Sequence, residues 1–192
     1  MSRAGADHYC YSDSEVPINR YDIREIELVE ALEEKLIATK MAGAIEKASK
    51  QRYLREAPWV AHKELFKSLY KWAGKDRTAE LKPEEGHIDA AFSGRSARII
   101  YSQARKLAAD GRLKEALIFL ALGFEKAQPF RRGTSGALAA TFAVLCGTES
   151  VPDHQAISTA AQQSLAARDE TLIENAVLGY LSHVDCDHGQ AR

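Results

Sequence analysis

Helical periodicity constrains this chain more than any other feature of its sequence. From Ile23 onward, Ile26, Val29, Leu32, Leu36, Ile37, Met41, Ala44 and Ile45 recur at steps of three and four. That spacing puts an apolar stripe on one side of a long helix and fits no strand, whose side chains alternate with a period of two. Pro58 opens a second helix, because a first turn has no use for the N–H that proline lacks. This helix carries Trp59, Leu65, Phe66, Leu69 and Tyr70 and stops at Gly74. Residues 75–92 lose the helical spacing and hold Pro83 and Gly86, which predicts a loop with at most a short hairpin. Ser96 is then placed to cap a third helix bearing Ile99, Ile100, Ala104 and Leu107, closed at Asp110-Gly111. Leu113 to Ala127 is apolar nearly all round and belongs at the centre of a bundle, with Pro129 stopping it. A fifth helix runs from about Ser135 to Cys146, ended by Gly147, and Asp153 and Asp169 cap two more. The expected fold is all-α, a bundle of about seven helices with a flap-like loop after the second. Residues 1–20 read as a mobile arm, 21–182 as the helical domain and 183–192 as a frayed tail.

Composition narrows the function. A net charge of -1 over 192 residues lacks the positive excess of a nucleic-acid binder. The strongest apolar run, Leu113 to Phe124, contains Lys114 and Glu115 and is too short to span a bilayer, so neither nucleic acid nor membrane is expected as a partner. Acidic and polar residues fill the N-terminus where a signal peptide would carry its apolar stretch. Cys10, Cys146 and Cys186 are odd in number and far apart, which indicates no disulfide framework. The expected setting is the cytoplasm, and delivery into another cell by a route needing no such signal is compatible with these features.

One stretch has the form of a site. Gln128-Pro129-Phe130-Arg131-Arg132-Gly133-Thr134-Ser135-Gly136 is a turn that leads into a helix. Its small residues can curl into a nest of backbone N–H groups at a helix start, where the dipole favours an anion. The candidate phosphate- or nucleotide-binding residues are therefore Arg131, Arg132, Gly133, Thr134, Ser135 and Gly136. The bland alternative is a glycine-rich turn capped by Ser135, with two solvated arginines.

Upstream, His62-x2-Leu65-Phe66-x2-Leu69-Tyr70-x-Trp72-Ala73-Gly74-Lys75-x-Arg77-Thr78 resembles the second-helix signature of the Fic/Doc family. With the loop, the two helices and the Pro129-Phe130 and Gly133 turn that follow, the resemblance spans residues 59–147. It implies a compact helical fold whose members typically transfer AMP from ATP to a hydroxyl of a target protein. Leu65, Phe66, Tyr70 and Trp72 sit at core spacing, and His62 is expected to be structural. Family members read His-Pro-Phe-x-[Asp/Glu]-Gly-Asn-[Gly/Lys]-Arg at the turn, usually with a second arginine three residues on. The resemblance makes the histidine a general base, the acid a Mg²⁺ ligand and the arginines phosphate partners.

Aligned without gaps, this chain departs at most of those places. Gln128 stands where the base belongs, and its amide accepts no proton at useful pH. Arg132 replaces the acid, Thr134 the asparagine, and Gly136 and Ala139 the arginines. No catalytic residue and no metal ligand is therefore assigned. ATP remains the ligand the resemblance implies, whereas a fixed cation at position 132 argues against Mg²⁺. The nearest counterpart of the inhibitory helix of some relatives, Ala42-Gly43-Ala44-Ile45-Glu46-Lys47, reads as ordinary helix. His183, Cys186 and His188 with Asp185 and Asp187 match no common zinc spacing. Residues 79–86 lack the β-forming pattern with which relatives align a target segment.

Three functions follow. The first is a degenerate Fic-fold protein acting through phosphate, nucleotide or protein binding. The second is an active transferase of AMP or another nucleotidyl or phosphoryl group with a rebuilt site, using a different donor or recruiting His62, His87 or His154. The third is a structural or regulatory partner of another protein.

Overall fold

The computed structural model describes residues 8–12, 14–81 and 87–188. Among these residues seven α-helices make the bundle: α1 (Ile26–Ala48), α2 (Ala57–Phe66), α3 (Ala90–Ala109), α4 (Leu113–Ala127), α5 (Thr134–Cys146), α6 (His154–Ala167) and α7 (Thr171–His188). A 3-10 turn, Gln51–Glu56, joins α1 to α2. Among the described residues there is no strand, only an isolated antiparallel bridge between Cys10 and Pro17. No helix among them is long and apolar enough to cross a membrane.

The all-round apolar α4 sits at the centre, packed on α3, α5, α6 and α7, while α5 completes the core against α1 and α2. Phe124, Phe130, Phe142, Leu117 and Leu120 are fully buried where these elements meet. Asp153 caps α6 as expected, its carboxylate accepting from the N–H groups of Gln155 and Ala156. Gly147 ends α5 in the left-handed conformation.

Two helix boundaries differ from the sequence reading, each for a packing reason. The helix opened by Pro58 ends at Phe66, not at Gly74, and residues 67–74 continue as turns. Gly74 takes φ 78° and folds this segment back on α2, where a Cβ would lie 2.7 Å from that of Lys63. α3 starts at Ala90, six residues before Ser96. Its first turns pack through small residues that make no apolar stripe. Buried Ser93 donates to the carbonyl of Ala127 at 2.6 Å, and Gly94 leaves room for the Asp76 carboxylate. The Ala90 N–H is capped from a distance by Glu80, at 2.9 Å.

The N-terminal segment expected as an arm is docked from residue 8 onward. Tyr9, Val16 and Asn19 are buried, and the Tyr9 hydroxyl accepts from the N–H of Thr78 at 3.1 Å. Asn19 fixes the bend that precedes α1: its amide oxygen accepts from the N–H of Tyr21 and Ile23, and its nitrogen donates to the carbonyls of Pro17 and Ile23. At the other end the backbone of α7 runs helical to His188, past the expected boundary at 182.

Candidate functional site

The turn between α4 and α5 is held by donors from elsewhere in the chain. Gln128 closes α4 in the left-handed region, φ 38° and ψ 64°, and its N–H reaches the carbonyl of Phe124 at 2.8 Å. Such a conformation costs an ordinary residue about 1 kcal/mol or more, so the surroundings must enforce it. Arg77, 1% exposed, does most of this. Its Nε donates to the Gln128 carbonyl at 2.7 Å, its backbone N–H to Pro129 at 2.8 Å, and its remaining nitrogens to the carbonyls of Ala79 and Ile88. The Gln128 side chain points to Glu125, donating at 2.9 Å. Glu125 is itself buried and also accepts from Ser158 and Gln162.

His62 supports the turn from below. Its ring stacks on Phe130 with centroids 3.9 Å apart and planes 11° from parallel. Nδ1 accepts from the N–H of Gly74 at 2.8 Å, which leaves the ring proton on Nε2, and Nε2 donates to the Arg132 carbonyl at 2.8 Å. Burial pushes its pKa down to about 4, with the bond to the Arg132 carbonyl opposing part of that shift. Both nitrogens are thus occupied by backbone groups in a neutral ring, and the expected structural role holds. The Fic/Doc-like signature in this part of the chain is a turn support.

Beyond Phe130 the chain rises into α5 through Gly133, φ 75°. A Cβ here would meet the Phe66 ring at 2.4 Å, so glycine is required both for the backbone and for the close approach. Arg131, Arg132, Gly133 and Ser135 line a cavity of about 480 Å³, facing Glu30, Glu33 and Glu34 of α1 and His154 and Gln155 of α6. The other two candidates lie elsewhere. Thr134 is buried with its hydroxyl unpartnered. Gly136 lets α5 approach α1, where a Cβ would lie 3.0 Å from Ile37.

Arg132 is engaged by α1. Its Nε donates to Glu33 Oε1 at 2.9 Å and its Nη2 to Glu33 Oε2 at 2.7 Å, with Glu30 at 3.3 Å beyond. The Tyr70 hydroxyl donates to Glu33 Oε1 at 2.6 Å. Burial works against the guanidinium charge, yet the bonds from Glu33 outweigh it and the pKa is raised. Burial, then the Glu33 charge, raises that of Tyr70. Sequence reasoning missed Glu33. The signal was available, since this residue stands on the buried stripe of α1 between Val29 and Leu36, where a carboxylate needs a partner.

These residues do not fit a divalent cation at the place the resemblance implies. Position 132 carries a positive charge, and both oxygens of the nearest buried carboxylate are committed to Arg132 and Tyr70. Of the secondary candidates, Glu46 is an exposed residue paired with Lys50, and His87 bonds the Glu125 carbonyl. His154 alone of the recruitable histidines reaches the cavity. Residues 82–86 of the flap-like loop, and the side chains of Asp185, Cys186, Asp187 and His188, lie outside the described residues.

The fold places the chain among known structures. It is similar to the N-terminal Fic domain of a cell filamentation protein, a VirB-translocated Bep effector, from Bartonella quintana. That match has a TM-score of 0.62 and 16% identity, covering 88% of this chain and 89% of that one. The BepC protein of Bartonella tribocorum, also a VirB-translocated effector and solved with bound AMPPNP, matches with a TM-score of 0.64 and 15% identity, over 88% and 93% of the two chains. No protein-family model and no curated protein matches. The chain has the Fic-domain fold.

Proposed function

We propose that this is a Fic-fold protein in which metal-dependent AMP transfer has given way to a structural ion-pair network, and which acts through binding and not through transfer. The observation that carries the reading is the clamp of Arg132 by Glu33 and Tyr70. It supports a closed turn, because a phosphate entering there must compete with a carboxylate already in bidentate contact. Glu30 and Glu34 on the same wall repel anions further. What remains for a phosphate is the first N–H groups of α5. One structural neighbour was solved with AMPPNP bound, so adenine nucleotides are the ligands to test.

The experiment is an ATP titration with and without Mg²⁺, followed by mass analysis of candidate acceptor polypeptides. No gain in affinity from Mg²⁺ and no AMP adduct are expected. Metal-dependent binding accompanied by AMP incorporation refutes the proposal. The Gln128→His variant supplies a base beside Glu125 and leaves Arg132 in place, so it is expected to remain without transferase activity.

A further inference from the structure

We propose that Ser135, His154 and Glu34 form a nucleophilic serine site that takes an acyl group from an uncharged or cationic ester. The proposal goes beyond the function proposed above and does not rest on it. Three helices bring the groups together from positions up to 120 residues apart. Ser135 stands in the first turn of α5, its Oγ 3.3 Å from His154 Nδ1. His154 Nε2 lies 3.1 Å from Glu34 Oε2. Glu34 is positioned in turn by Gln155, whose amide nitrogen donates to Oε1 at 3.1 Å. All four line the cavity described above.

The order of these contacts fixes the proton. An ionised carboxylate only accepts, so the neutral ring carries its hydrogen on Nε2, donated to Glu34. Nδ1 then presents its lone pair to the serine hydroxyl. This is the base–nucleophile–orienter relation of serine hydrolases with the two ring nitrogens exchanged, and such sites are recognised by geometry and role. The first intrahelical bond of α5 runs from the Ala137 N–H to the Gly133 carbonyl. The N–H groups of Thr134, Ser135 and Gly136 precede it and have no partner within the helix. They point out of the N-terminus beside Ser135, where a carbonyl oxygen gains negative charge during attack. The acidic wall of Glu30 and Glu34 disfavours anionic donors, which sets the substrate class.

In the first step Ser135 Oγ bonds to the ester carbonyl carbon and its proton passes to His154 Nδ1. The ester C–O bond then breaks, and the leaving alkoxide takes that proton as the alcohol. Water, deprotonated by the same Nδ1, adds to the acyl-serine, and the released carboxylic acid leaves the serine hydroxyl restored. Ser135 and His154 are the catalytic residues, and Glu34 is a positioning residue.

The test uses the full chain without nucleotide, so its outcome is separate from that of the ATP titration. A fluorophosphonate probe and p-nitrophenyl acetate are the reagents, read by intact mass and peptide mapping. The expected result is an adduct on Ser135 that is absent in Ser135→Ala. In His154→Ala its rate of formation is expected to fall by about 100-fold. Glu34→Gln slows labelling and Glu34→Asp recovers part of the rate, with urea midpoints showing that the variants stay folded. An adduct mapped to another serine, no adduct at all, or an unchanged rate in folded His154→Ala overturns the proposal.

Discussion

Acidification should destabilise this protein through one ring. His62 is buried with both nitrogens bonded to backbone, and its pKa in the fold lies near 4 against an ordinary 6.5. Below pH 6.5 the unfolded chain takes up a proton there that the folded protein refuses until about pH 4. Protonation therefore favours the unfolded state, and stability falls as pH drops through that window. The shift from 6.5 to about 4, at about 1.4 kcal/mol per pH unit, is worth about 3 kcal/mol. Against a total stability of roughly 5–15 kcal/mol, such a loss is easily measured. The assay is urea unfolding at pH 7.5 and pH 4.5 for wild type and His62→Gln, since glutamine keeps a donor for the Arg132 carbonyl and does not titrate. Every other group contributes nearly equally to both chains, so the difference of differences isolates the ring. Wild type should lose about 2–3 kcal/mol more than the variant between the two pH values. Equal losses, or a His62 resonance titrating near 6.5 in the folded state, would refute the reasoning.

Four further substitutions probe the turn and its supports, one of them as a control. Gly133→Ala combines positive φ with a clash on the buried Phe66 ring and should cost about 2–4 kcal/mol in urea unfolding. Gly147→Ala, equally left-handed but with nothing within 4 Å of the new Cβ, should cost only about 1 kcal/mol. Arg77→Met leaves the carbonyls of Ala79 and Ile88 without their donor and that of Gln128 with only the Ser93 hydroxyl at 3.2 Å, and should lose about 3 kcal/mol by the same assay. Glu33→Ala strips the bidentate partner from Arg132, which is a quarter exposed and keeps Glu30. The stability cost should be about 2 kcal/mol, below that of a fully buried pair, and calorimetric titration should detect tighter binding of inorganic pyrophosphate.

Much of the architecture was legible because it is local. The stripe of α1, the proline at the start of α2, the all-round apolar α4, the glycine after α5 and the aspartate before α6 each act within a turn or two of themselves. The start of α3 was not legible, because Ser93 and Gly94 pack by being small, and close packing without large apolar side chains leaves no periodic trace. The docking of Tyr9 and Val16 was equally hidden, since a buried pair among polar neighbours has no spacing to read.

By itself the sequence determined that the chain is helical, where most helices lie, and that the turn after α4 lacks a histidine and an acid. Only the tertiary structure decided what the turn became. Glu33 meets Arg132 across 99 positions, and Glu34 meets His154 across 120. A periodic pattern specifies which face of a helix is buried, whereas the residue opposite it depends on how α1, α5 and α6 cross. The crossing is set by side-chain packing throughout the core, so the partners of each charged group become definite only in the folded chain.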